Sequence, residues 1–122
     1  MKQFIPPKKS GSPFSMAVWA GNTLYVSGKV GIDPATGTIP DSVEEQTKFA
    51  IAGLKSVLEE QSCTLSDVVK MTVILTNKDD IAAFNKIYCE CFAVNPPART
   101  LIVVTALAGK ATVELDAIAV KG

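Results

Sequence analysis

Val68-Val69-Lys70-Met71-Thr72-Val73-Ile74-Leu75 is the stretch on which the fold turns. It has the length of a strand, and Val69, Met71, Val73 and Leu75 alternate with Val68 and Ile74, so both of its faces read as apolar. A strand with one wet side would show polar residues at every second position. The run therefore predicts a central strand that needs cover on both sides.

Cover for the first side is visible upstream and downstream. Ser42-Val43-Glu44-Glu45 matches a capping box, and Val43, Ala50, Ile51, Leu54, Val57 and Leu58 recur at helical spacing, which predicts an amphipathic helix from about 43 to 61. Asn77 to Asp80 supply caps for a second helix carrying Ile81, Phe84, Ile87, Tyr88 and Phe92, and Asn95-Pro96-Pro97 must end it. Before the first helix, Met16 to Ala20 and Thr23 to Ser27 read as a hairpin around Gly21-Asn22, a turn pair able to take positive φ. Asp33-Pro34-Ala35-Thr36-Gly37 is a further turn, leaving residues 28–40 as strand end plus loop. After the second helix, Ala98 to Thr105 and Ala111 to Val120 are strand-like, with a turn at Leu107-Ala108-Gly109-Lys110.

The order is ββαβαββ, an α+β chain read as one domain over residues 1–122. Right-handed crossovers place both helices on one face of a mixed sheet and leave the other face without cover from the chain itself. Because the 68–75 run is apolar on both sides, the economical cover is another copy of the chain.

Composition narrows the chemistry. Of 122 residues, 48% are hydrophobic, enough for a core without disulfide or metal staples. Twelve basic residues balance twelve acidic ones, which removes the broad attraction on which non-specific nucleic-acid and anionic-membrane binders rely. There is no histidine, so Ser-His-Asp and Cys-His nucleophile pairs, His-ligated zinc and any imidazole base are excluded. No P-loop, dinucleotide fingerprint or nucleophile elbow is present, and no run approaches the length that spans a bilayer.

Cys63, Cys89 and Cys91 form an odd set with neither C-x-x-C redox spacing nor a second ligand pair. They read as free, partly buried thiols. With no signal-peptide pattern at Met1 to Pro7, the expected compartment is the cytoplasm.

Two sets of polar residues stand out. Arg99 begins a strand just after Asn95-Pro96-Pro97-Ala98, where two prolines stiffen the approach. Its planar fork suits a substrate carboxylate, while spacing alone favours a structural ion pair with Glu114 or Asp116. Those two carboxylates, two apart in an apolar strand, share one face. They are acid–base groups in a chain without histidine, partners of Arg or Lys across an interface, or residues of a solvated edge. Ser27-Gly28-Lys29 ends the hairpin, and its amides and hydroxyl can donate to a carboxylate or form a plain strand end. Phe14, Trp19, Tyr25 and Tyr88 are candidate pocket walls or core.

Tyr25-Val26-Ser27-Gly28, Asp33-Pro34-x-Thr36-Gly37, Pro97-Ala98-Arg99-Thr100 and Val113-Glu114-Leu115-Asp116-Ala117-Ile118-Ala119 follow one another at separations that make the chain resemble the RidA/YjgF family over nearly its whole length. The resemblance implies a chorismate mutase-like fold, assembled as a homotrimer with a barrel-like core and three clefts between neighbouring subunits. It implies hydrolysis of reactive enamines and imines, such as 2-aminoacrylate and 2-iminopropionate, to 2-keto acids and ammonia, with no cofactor and no metal. Arg99 matches the residue that binds the substrate carboxylate, and Glu114 the one that positions or activates water. Ser27 and Asn85 match polar residues of the cleft, with Gly28, Phe14 and Leu101 completing the expected substrate-binding set.

The chain departs from the deaminating members at three places. Their Gly-Pro-Tyr is Ser12-Pro13-Phe14, their Ser-Gly-Gln is Ser27-Gly28-Lys29, and a cysteine two residues after the arginine is Leu101. Backbone contacts at position 101 do not depend on that side chain. Lys29 either adds a charge for a second substrate carboxylate or lies on the surface. Two other functions stay open at this level. One is the endoribonuclease or translation-inhibitor activity often attached to the family, disfavoured by zero net charge and the missing histidine. The other is a non-catalytic trimer that binds small ligands or acts as a chaperone.

Overall fold

The computed structural model describes every residue from Met1 to Gly122. Six strands form one sheet: β1 (Lys2–Ile5), β2 (Ala17–Ala20), β3 (Thr23–Val30), β4 (Val68–Leu75), β5 (Ala98–Val103) and β6 (Val113–Val120). Two helices, α1 (Val43–Glu60) and α2 (Ile81–Cys91), complete the expected pattern. The strand order is β1-β2-β3-β6-β4-β5, with β4 and β5 parallel and every other pair antiparallel. The α+β mixed sheet is as the sequence suggests, with one strand more. β1 escapes a reading by periodicity because three of its four residues are exposed and only Ile5 packs against the core.

Helix α1 starts where Ser42 Oγ accepts the Glu45 N–H at 3.2 Å. The reciprocal half of the box is altered, since Ser42 Oγ is itself 3.3 Å from Glu44 Oε1. Glu44 and Glu45 lie in the first turn, where the helix dipole favours negative charge. Its apolar stripe, Ala50, Ile51, Leu54, Val57 and Leu58, joins Phe84, Ile87 and Tyr88 of α2 and the inward residues of the sheet in one core. The sheet contributes Leu24, Val26, Met71, Val73, Leu75, Val113, Leu115, Ala117 and Ala119.

Two bulges decide what faces where. In β4, Val68 pairs with Ala119 but Lys70 pairs with Ile118, so an extra residue is inserted at Val69. Val68 therefore points into the core with Met71, while Val69 is 47% exposed, the reverse of simple alternation. In β3, Val26 pairs with Ala117 and Lys29 with Leu115, so Ser27 and Gly28 together oppose Asp116. The Gly21-Asn22 turn is present with only Gly21 at positive φ, 60°. The face away from the helices carries Tyr25, Lys70, Thr72, Ile74, Glu114, Asp116 and Ile118, and nothing in the chain covers it.

Candidate active site

The β3 bulge builds one half of the site. It turns Ser27 and Gly28 toward Glu114 of β6, and with Phe14 they line a cavity of about 350 Å³ on the uncovered face. Ser27 Oγ donates to the Ser15 carbonyl at 2.6 Å, and Ser27 N–H donates to the Met16 carbonyl at 3.1 Å, which ties the bulge to the segment that carries Phe14. Gly28 is needed for fit. A Cβ there would lie 3.1 Å from Cδ of Glu114 and closer still to Oε2. Glu114 forms no salt bridge, and Phe14, 54% exposed, is the cavity's one apolar wall.

Arg99 is in a different place. It pairs with the buried Met71, so its side chain leaves β5 on the helix side, whereas Glu114 pairs with Ile74 and faces the other way. The expected ion pair with Glu114 or Asp116 is absent: the chain's salt bridges are Lys8–Glu60 and Lys110–Asp41. Arg99 instead donates from Nη1 to Asn85 Oδ1 at 2.8 Å, and its Cζ lies over the Tyr88 ring, 4.8 Å from the centroid. The helical approach to β5 makes this possible, because α2 connects β4 to its parallel neighbour and presents Asn85 and Tyr88 to the start of β5.

The expected residues thus fall into two groups. Phe14, Ser27, Gly28 and Glu114 come together, and Arg99, Asn85 and Leu101 lie on the opposite side of the sheet. Leu101 points the way Arg99 does and packs partly against the core. Lys29 belongs to neither group. The bulge aims it toward the helix side, half-buried, with its ammonium against Met16 Sδ. Burial holds its pKa below the ordinary value, helped by nearby Lys8 and opposed by Glu60. Of the aromatic candidates, Trp19 Nε1–H donates to Gln61 Oε1 at 3.0 Å and Tyr25 is exposed on the open face, so neither walls the cavity.

The thiols are free, but only Cys63 is buried; Cys89 and Cys91 are exposed, since at i and i+2 near the end of α2 neither falls on its core stripe. No three Cys, Asp or Glu side chains converge as a metal cluster. No helix is long and apolar enough to cross a membrane. A larger cavity, about 440 Å³ beside Lys2, Trp19 and Lys121, contains no carboxylate.

Two features escaped the sequence. Tyr88 reads there as a pocket wall or core residue and not as a partner of Arg99, yet the spacing of Phe84, Tyr88 and Phe92 along one helical row was the available sign of an aromatic platform. Gln46, 1% exposed, joins distant segments: Nε2 donates to the Pro40 carbonyl at 2.9 Å and Oε1 accepts the Thr112 N–H at 2.8 Å.

A six-stranded mixed sheet with two helices on one side is the fold of a known class of small α+β proteins. The chain belongs to the RidA/YjgF family, its residues 7–121 matching the profile described as endoribonuclease L-PSP. It is 40% identical over 111 residues to the 2-iminobutanoate/2-iminopropanoate deaminase of Mus musculus, covering 90% of this chain and 82% of that protein. A Thermotoga maritima crystal structure provisionally described as an endoribonuclease superposes with a TM-score of 0.91 at 38% identity, over 100% of this chain and 99% of that one. The crystal structure of Escherichia coli TdcF with bound serine has a TM-score of 0.86 at 29% identity, covering 91% and 90%.

Proposed function

We propose that this protein hydrolyses 2-imino acids and their enamine tautomers, such as 2-iminopropionate and 2-aminoacrylate, to 2-keto acids and ammonia. The observation that carries this reading is the state of Arg99: oriented by a neutral amide and a neutral ring, with no carboxylate within salt-bridge distance. A surface arginine held in this way keeps its full charge and most of its N–H donors for an anion. Arg99 binds the substrate carboxylate, aided by Asn85 and by the backbone at Leu101. Glu114, in the cavity with Ser27, Gly28 and Phe14, places a water against the imine carbon and takes its proton as the C–O bond forms. That proton passes to nitrogen as the C=N double bond becomes single, giving a carbinolamine; Glu114 then takes the hydroxyl proton and returns it to nitrogen, and the C–N bond breaks so that ammonia leaves as the carbonyl forms.

Arg99 and Glu114 point to opposite sides of one sheet, so a single substrate reaches both only between copies of the chain. A homotrimer, packed through the open sheet faces, supplies three such clefts and the missing cover. The free thiols suit a reducing cytoplasm.

The test generates 2-iminopropionate in situ with an amino-acid oxidase and traps unreacted imine with semicarbazide. Wild-type protein should suppress the adduct, while Arg99→Ala and Glu114→Ala should not. Adduct equal to buffer for an oligomeric wild type would reject the reaction. Retained suppression by Arg99→Ala would reject the carboxylate role.

A further inference from the structure

Helix α2 contributes more to the Arg99 site than a hydrogen bond. Phe84, Tyr88 and Phe92 stack along one side of it, with ring centroids 5.5 Å apart for the first pair and 4.6 Å for the second. The row is buried, so the rings have no room to swing away. The Arg99 guanidinium carbon lies over the middle ring, 4.8 Å from its centroid, and 6.0 Å from that of Phe84. Asn85, one residue along from Phe84, holds Nη1 from the side.

We propose that Tyr88 is a positioning residue for the anion site, its ring face holding the Arg99 guanidinium in place so that the in-plane N–H groups are presented to a 2-imino or 2-keto acid carboxylate. The inference rests on the carboxylate role of Arg99 and adds the group that orients it. A ring attracts the cation through its quadrupole without neutralising it. An acidic partner would orient Arg99 equally well but would occupy the N–H edge that the ligand needs. Asn85 alone fixes a single nitrogen and leaves the guanidinium free to rotate about that bond.

The phenol hydroxyl is not part of the device. It is buried and has no hydrogen-bond partner, and burial raises its pKa despite the nearby Arg99 charge. Tyr88→Phe therefore removes nothing that the guanidinium uses. That makes a graded electronic test possible at constant shape.

The experiment places phenylalanine and then mono-, di- and trifluorophenylalanine at position 88 and measures the dissociation constant of 2-oxobutanoate, with imine turnover followed in parallel. Fluorine withdraws density from the ring face and leaves its packing nearly unchanged. Expected is affinity within about twofold of wild type for Tyr88→Phe and a stepwise loss across the fluorinated series, reaching roughly fivefold to tenfold, the range of a cation–π contact. KM should rise while kcat stays near constant, and the series should be flat in an Arg99→Ala background. Affinity indifferent to fluorination, in proteins of unchanged melting temperature that still depend on Arg99, would overturn the platform and leave the deaminase reading intact. Graded binding without turnover would do the opposite. A wild type that binds no 2-keto acid would overturn the platform along with the carboxylate role.

Discussion

Arg99 and Glu114 leave the sheet in opposite directions. Arg99 is in register with Met71, which is sealed beneath the helices, and Glu114 with Ile74 on the uncovered side. If the proposed reaction uses both groups on one substrate, they must come from different copies. Mixing two inactive variants should restore activity: Arg99→Ala supplies an intact Glu114, and Glu114→Ala an intact Arg99. Random reassembly of the two at equal amounts should rebuild about a quarter of the clefts of a cyclic trimer. Recovery is read with the semicarbazide assay after co-refolding. No recovery in mixed oligomers confirmed by mass spectrometry would assign both residues to one chain's site.

Gly28 is the tightest point of the pocket. In Gly28→Ala the new methyl meets the end of the Glu114 side chain, which can swing aside, rather than backbone. The fold should survive, with a melting temperature close to wild type. Turnover should fall by roughly a hundredfold, because displacing a water-positioning carboxylate by about 1 Å costs that much. Unaltered kcat would mean that the observed Glu114 position is irrelevant to the reaction.

Lys29 is charged where water is scarce. Its folded pKa lies below the ordinary 10.5, so the unfolded chain holds this proton more tightly than the native one. Below the lowered folded pKa the charge costs stability, and the cost fades as pH rises toward 10.5. Lys29→Met should accordingly raise the melting temperature at pH 7, with the gain shrinking in scans taken up to pH 10. A gain that grows with pH would reverse the assigned sign.

Gln46 satisfies two backbone groups from α1, the carbonyl of Pro40 and the N–H of Thr112. Gln46→Leu keeps the volume but leaves both unpartnered in a buried setting, at a cost of about 2–4 kcal/mol for the pair. Urea denaturation should show the midpoint falling at constant m-value. Loss below about 0.5 kcal/mol would mean that other donors and acceptors take over.

Much of the architecture is legible in residue order because its signals are local. The cap at Ser42, the stripe from Ala50 to Leu58 and the Pro96-Pro97 stop each act within a few residues of themselves, as does Asn77, which caps the 3-10 turn Lys78–Asp80 ahead of α2 while Asp80 itself makes no side-chain cap. The parity of Val68 and Val69 is another matter. A bulge is a property of two strands in register, and β4 and β6 are far apart along the chain. The partner of Arg99 is hidden for the same reason. Glu114 and Asp116 are the obvious counter-charges along the chain, yet the parallel crossover sets α2 beside β5 and gives the guanidinium Asn85 and Tyr88 instead. Phe14, Ser27 and Glu114 could be named one by one, but their meeting depends on the bulge.

That bulge gives the length of a short segment a meaning separate from its composition. Val26 and Lys29 are three residues apart, and their partners Ala117 and Leu115 only two. Deleting one residue between them would let the ladder run straight, with Leu24 and Val26 still turned inward and the hydrophobic interior intact. What would disappear is the recess in front of Glu114. A sequence shorter by one at this place would keep the architecture and forfeit the pocket, so counting residues from Tyr25 to Asp33 separates a chain that has the recess from one that lacks it before any side chain is compared.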